Sequence, residues 1–120
     1  MNIQIFGRSK CFDTKKAERY FKERRIKFQS IDLSRYGMSK KEFESVRSAV
    51  GLVALIDDKA PDADLLKYMA SDSARIERLL EYPDNIRTPI VRNGRQATVG
   101  YCPEVWKTWE VNCQTKCNRN

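Results

Sequence analysis

Apolar and polar residues alternate over 2–6 (Asn-Ile-Gln-Ile-Phe) and stop at Gly7, which predicts a strand. The spacing then changes. Phe12, Ala17, Tyr20 and Phe21 recur at intervals of three and four among charged residues, which predicts a helix from Cys11 to about Arg25. Residues 27–33 read as a second strand, and a strand–helix–strand unit of this length favours a parallel pair with a right-handed crossover. Ser39 and Glu42 have capping-box spacing and open a helix bearing Phe43, Val46 and Val50 that closes near Gly51. Residues 51–56 show no clear period. Asp62 is placed to cap a short helix with Leu65, Leu66 and Met69, and Ser71 to cap another with Ile76, Leu79 and Leu80 that ends before Pro83. Strand-like runs at 88–92 and 95–99 flank Asn93-Gly94, a hairpin signal because both central residues of that turn need positive φ. Pro103 suits the first turn of a last helix carrying Val105, Trp106 and Trp109.

The order is strand, helix, strand, helical block, strand hairpin, helix. With the block set aside, this is an α/β fold of thioredoxin-like arrangement: a four-stranded mixed sheet with helices on its faces. The expected organisation is one domain over residues 1–111, a helical subdomain inserted at about 38–84, and a polar tail at 112–120. A chain of 120 residues supports one core and not two. Charge divides along the same lines. Residues 1–27 hold nine Lys/Arg against three Asp/Glu, residues 28–86 eight against eleven, and residues 87–120 six against two. The basic ends and the acidic middle therefore read as sheet and insert. The basic unit either meets an anionic partner or presents a solvated helix face.

Candidate chemistry starts from what is missing. The chain has no histidine, so a nucleophile must be activated without an imidazole base. The four cysteines, at 11, 102, 113 and 117, form neither a Cys-x-x-Cys pair nor a metal-ligand pattern. Cys11 stands where the first strand gives way to the first helix. Free N–H groups and the positive end of the helix dipole favour thiolate there. Arg8, Lys10, Lys15 and Lys16 add positive charge, and Thr14 is placed to donate to the sulfur. The alternative is a small buried core cysteine. Thr88-Pro89 belongs at a strand start, since proline cannot donate to a ladder. Cys102 follows the last strand, as either a resolving thiol or an incidental cysteine.

Three stretches together resemble the arsenate-reductase family that includes ArsC and the transcriptional regulator Spx. They are Cys11-Phe12-Asp13-Thr14-Lys15-Lys16-Ala17 after the first strand, Thr88-Pro89-Ile90-Val91, and Val99-Gly100-Tyr101 leading to Glu104. The resemblance spans about residues 1–111. It implies a thioredoxin-like core with a helical insert, Cys11 as the reactive cysteine, and a cis-proline at Pro89 facing it. The sequence departs from the family's oxyanion-gripping arginines: Thr88 precedes the proline with Arg87 one place early, Tyr101 follows the last strand, and the nearest insert residues are Asp57 and Asp58. Bidentate arginine recognition is hard to replace, so the implied arsenate reductase activity is not expected to be efficient. Thr14 stands where Spx has the second cysteine of its redox switch, while Gly51 matches a glycine at the contact of Spx with RNA polymerase.

Two functions follow as expectations. The first is an ArsC-family thiol oxidoreductase in which Cys11 attacks an oxidised substrate such as a disulfide. Glutathione, another small thiol or Cys102 would resolve the mixed disulfide, with no bound cofactor. Arg8, Lys10, Arg87 and Arg92 would attract an anionic substrate, and Arg87, Thr88, Pro89 and Tyr101 would face it. The second is an Spx-like regulator that binds RNA polymerase. Direct DNA binding is not expected, because no base-reading element is visible. No apolar run approaches a membrane span and the first residues lack a signal-peptide core, so the expected location is the cytoplasm.

Overall fold

The computed structural model describes residues 2–109. The polar tail expected at 112–120, with Cys113 and Cys117, lies outside them. The chain runs β1 (Ile3–Gly7), α1 (Phe12–Glu23), β2 (Phe28–Asp32), α2 (Leu33–Tyr36), α3 (Lys40–Val50), α4 (Ala63–Lys67), α5 (Asp72–Glu81), β3 (Ile90–Asn93) and β4 (Gln96–Val99). A last helix, α6, covers residues 103–109. Single 3₁₀ turns lie at Val53–Leu55 and Pro83–Asn85.

The four strands form one mixed sheet in the order β2-β1-β3-β4. β1 is parallel to β2 and antiparallel to β3, and β3 and β4 form the hairpin. β1 is therefore central and buried, and its side chains divide between two cores. Ile3 and Ile5 join Ala17, Tyr20 and Phe21 of α1, Val91 of β3 and Trp106 and Trp109 of α6. Phe6 turns the other way, with Ile90, into a core built by the insert: Phe43, Val46, Leu66, Ile76 and Leu79 among others. The period of two along a strand does this sorting. The insert thus packs on one face of the sheet, and α1 with α6 on the other.

Local signals explain most of the elements. Ser39 and Glu42 exchange the two hydrogen bonds of a capping box (both 3.1 Å), and Gly51 ends α3 with φ +86°. Ser71 Oγ accepts from Ala74 N at 3.2 Å and caps α5. Asp62 departs from expectation. It occupies the N-cap position of α4 without capping it, because its carboxylate takes Arg78 (Nη2 at 3.0 Å) and Asn85 Nδ2 (2.9 Å) instead. That network fastens α4 and α5 to the chain entering β3. The hairpin turn also moves by one place. Asn93 pairs with Gln96, so the two central residues are Gly94 and Arg95, and only Gly94 has positive φ (+63°). A glycine-first turn closes the hairpin as well as the expected Asn-Gly turn would.

Trp106 anchors the α6 side. It is fully buried, packs edge-on to Tyr20, and donates from Nε1 to Thr98 Oγ1 at 2.8 Å in a buried setting. Thr98→Val keeps the shape but leaves the indole N–H without its acceptor. It is expected to destabilise the fold by about 1–3 kcal/mol. Urea unfolding should show a lower midpoint with an unchanged slope. An unchanged midpoint would mean that the indole finds another partner.

Candidate active site

β1 ends at Gly7 and the chain turns through Arg8, Ser9 and Lys10 into α1, which places Cys11 at the helix N-cap with extended backbone (φ −90°, ψ 117°). Gly7 is required by its neighbour. A side chain there would begin 2.3 Å from Thr14 Cγ2 and 2.6 Å from Thr14 Oγ1. The absent Cβ lets Thr14, in the first turn of α1, pack down onto the strand end beneath Cys11. Opposite stands Thr88, whose peptide bond to Pro89 is cis. The neutral Cys11 thiol is directed at the Thr88 carbonyl, with Sγ 3.7 Å from the oxygen.

The surroundings of the sulfur fit its charged form better than its neutral form. Burial pushes the thiol pKa up, but hydrogen bonding from the Thr14 and Thr88 hydroxyls and from the N–H groups of Thr14 and Asp13 outweighs it, leaving Cys11 below an ordinary cysteine. Around the neutral thiol, however, the sulfur makes no cap hydrogen bond of ordinary geometry, and Thr14 Oγ1 is buried without a partner. The two observations agree if these donors form only loose contacts with S–H and tighten on a thiolate, as donors to a charged acceptor do.

Arg8 behaves differently from a free cation. Its Nη1 donates to the Asp84 carbonyl at 3.0 Å. Its Nη2 is shared among Asp57 Oδ2 (3.3 Å), the Ile86 carbonyl (3.3 Å) and Thr88 Oγ1 (3.4 Å). The guanidinium ties the β1–α1 loop to the insert and to the chain entering β3. Between these segments and Cys11 lies an open cleft of about 940 Å³. Arg8, Lys10, Lys59 and Arg87 contribute positive charge to its lining, and Asp13, Asp57, Asp58 and Asp84 contribute negative charge, so the formal charges balance.

No family model and no curated protein matches this sequence. Solved structures do. A YffB protein superposes with a TM-score of 0.78 at 18% identity, over 89% of this chain and 97% of its own. An ArsC family related protein from Bacteroides fragilis also gives 0.78 at 18% identity, over 90% and 98%. An arsenate reductase from Vibrio cholerae gives 0.76 at 25% identity, over 87% and 93%. The chain has the ArsC-like thioredoxin fold.

Within this ArsC-like fold the residues singled out from the sequence fall into two groups. Cys11, Thr88, Arg8, Lys10 and Arg87 line the cleft together, and Thr14 supports Cys11 from below. Tyr101 lies to one side, half exposed, with its ring edge-on to Trp106 at 5.6 Å and the Lys16 ammonium 5.8 Å from its centre. Arg92 is directed elsewhere, to Gln4 Oε1 (3.2 Å) and Glu42 Oε2 (3.7 Å). Cys102 packs against the aromatic core of the α1–α6 side and donates to the Val99 carbonyl at 3.3 Å. Burial raises its pKa, Arg87 opposes that and Glu104 adds to it, and the net shift is upward. The need for Gly7, and the Asp84 and Ile86 carbonyls that hold Arg8, were not read from the sequence. The one signal was a glycine at the strand end, directly before the Arg8-to-Cys11 turn.

The two thiols should therefore separate in pH. Alkylation followed at each cysteine by mass spectrometry is expected to show Cys11 reacting with a midpoint below that of free cysteine and Cys102 with one above it. Thr14→Val should move Cys11 upward and leave Cys102 in place. Linkage gives the matching stability trend. The lowered Cys11 value adds stability as pH rises through it, fully present above the free-cysteine range. The raised Cys102 value withdraws stability as pH rises through its own range. A Cys11 midpoint equal to that of free cysteine would remove the hydrogen-bonded thiolate from the site.

Proposed function

We propose that the protein is a thiol oxidoreductase in which Cys11 is the nucleophile and disulfides, rather than arsenate, are the substrates. The observation that carries this reading is the position of Cys11 Sγ, at the N-cap of α1, facing Thr88 of the cis Thr88–Pro89 bond, at the wall of an open cleft. The Cys11 thiolate attacks one sulfur of a disulfide. A Cys11–substrate disulfide forms, the substrate S–S bond breaks, and the second substrate sulfur leaves as a thiolate. A second thiolate, from glutathione or another small thiol, then attacks the mixed disulfide, releases the Cys11 thiolate and carries away the oxidised sulfur. A further small thiolate attacks the small-thiol sulfur of the resulting disulfide and frees the remaining half of the substrate as a thiolate, so two small thiols are oxidised to one disulfide, the substrate disulfide gains two electrons, and no bound cofactor is needed.

The balanced charge of the cleft argues against arsenate. Arg8 is held by Asp57, and Asp58 adds a further carboxylate, so an oxyanion of up to two charges meets cations already offset. The remaining lining cations, Lys10, Lys59 and Arg87, suit the carboxylates of a small thiol. Cys102, partly buried, packs against the α1–α6 core with its thiol turned to the Val99 carbonyl, which favours an external resolving thiol. Pro89 heads β3 and would align the backbone of a peptide substrate. This chemistry belongs to the reducing cytoplasm, where Cys11 returns to the thiol state. Among the described residues, no helix is long and apolar enough to cross a membrane.

Turnover of a glutathione mixed disulfide with glutathione as reductant should be lost in Cys11→Ser and retained in Cys102→Ser, with arsenate reduced far more slowly. Undiminished turnover in Cys11→Ser would end this reading.

A second reading, an Spx-like partner of RNA polymerase, is favoured by one feature of the insert. Gly51 ends α3 with nothing within 4 Å of where its side chain would be, and Val53 beside it is 87% exposed. This reading expects a stoichiometric complex with RNA polymerase that survives Cys11→Ser and weakens in Gly51→Arg. Failure to recover polymerase in a pull-down would dismiss it.

A further inference from the structure

A threonine hydroxyl offers one hydrogen and two lone pairs. At Thr88 one of those lone pairs faces Arg8 Nη2 at 3.4 Å. The oxygen accepts there, so its hydrogen is free for another partner. The Cys11 sulfur lies against the same residue, 3.7 Å from the Thr88 carbonyl oxygen. That carbonyl accepts from the neutral thiol but can only repel a thiolate. When Cys11 ionises, the hydroxyl is the group of Thr88 that can meet the new charge, and an N–H donating into its oxygen polarises it for that task.

Arg8 itself has little freedom. The Asp84 and Ile86 carbonyls and the Asp57 carboxylate fix its plane through a rigid fork of donors. Resting on the oxidoreductase reading above, we propose that Arg8 is a positioning residue: it donates to Thr88 Oγ1 and so turns the Thr88 hydroxyl hydrogen onto Cys11 Sγ. The insert takes part through Asp57, which holds the guanidinium from the far side of the cleft. The Thr88 hydroxyl is one of the groups that lower the Cys11 pKa. The other charged groups facing the cleft are Lys10 and Asp13 beside Cys11, Asp58 and Lys59 on the insert, and Asp84 and Arg87 ahead of β3. They stay in place in the variants below and form a constant background.

This arrangement differs from simple charge attraction in a way that can be measured. A cation acting through space needs only its charge, whereas a positioning guanidinium needs its shape and needs Thr88. The experiment is the pH profile of Cys11 alkylation in the full chain, for wild type, Thr88→Val, Arg8→Lys, Arg8→Gln and Thr88→Val/Arg8→Gln, with far-UV circular dichroism to verify folding. The expected result is an upward shift of the midpoint in Thr88→Val, an upward shift in both Arg8 variants although Arg8→Lys keeps the charge, and no further shift in the double variant beyond Thr88→Val. A wild-type midpoint in Arg8→Lys would overturn the proposal in favour of charge alone. So would shifts that add in the double variant, which would show Arg8 acting without Thr88. If Arg8→Gln does not fold, Thr88→Val combined with Arg8→Lys provides the same test. The readout is the thiolate itself and not turnover. A depressed wild-type midpoint that ignores Arg8 defeats this inference alone, whereas an undepressed wild-type midpoint defeats the oxidoreductase reading with it.

Discussion

The close approach of Thr14 to the end of β1 sets the geometry on which the site depends. β1 is paired on both edges and covered on both faces, so its end cannot shift to relieve a clash. α1 must start there and lie against the strand that it follows. With Thr14 atoms 2.3–2.6 Å from where a Gly7 side chain would begin, only a residue without Cβ permits that descent. The consequence reaches the chemistry directly. The first turn of α1 is pressed onto the sheet, and the N-cap sulfur is left between that turn and the strand entered through Pro89. Packing, rather than any polar contact, brings nucleophile and donors together.

Polar contacts then decide what the sulfur becomes. The sequence suggested a thiolate held by helix N–H groups, the Thr14 hydroxyl and nearby positive side chains together. The causes that lower its pKa are the short-range donors among these, joined by the Thr88 hydroxyl, and not the positive side chains. The distinction matters because hydrogen-bond donors are directional and survive salt, whereas exposed lysines are screened within about 10 Å at ordinary ionic strength. Arg8 is a nearby cation held by several hydrogen bonds, and these go to carbonyls, Asp57 and Thr88.

The fold was largely legible because its signals are local. The alternation in β1, the three-and-four spacing of α1, the Ser39–Glu42 box and the Ser71 cap each depend on a few adjacent residues, and each element stands where those residues put it. What failed depended on distant partners. Asp62 looked like a cap because nothing in its vicinity shows that Arg78 and Asn85 will claim its carboxylate. α2, only four residues long, starts at Leu33, the last residue of the second strand run, and went unread, and the turn at Gly94 moved by one residue because pairing across the hairpin sets the register. The site divides in the same way. Cys11 and Thr14 share one helix turn and were visible together. Arg8 could be seen as a charge near the sulfur, but its acceptors are 49 to 80 residues away, so its role was not visible.

The place of Thr88 shows how a charge near the sulfur can be supplied from another part of the chain. The family resemblance implies an arginine at this position, and this chain has a hydroxyl there. A guanidinium still reaches the spot, from Arg8 on the opposite side of the thiol. An arginine offered from the strand would leave its fork open to the cleft. One offered from the β1–α1 loop arrives with its donors already taken by Asp84, Ile86 and Asp57. The positive charge is retained near the sulfur, but its hydrogen-bonding capacity faces the protein and not a ligand. On the reading proposed above, Arg8 serves the thiol rather than a ligand, and what remains in the cleft to meet an anion is Lys10, Lys59 and Arg87, in a lining where carboxylates are as many as cations.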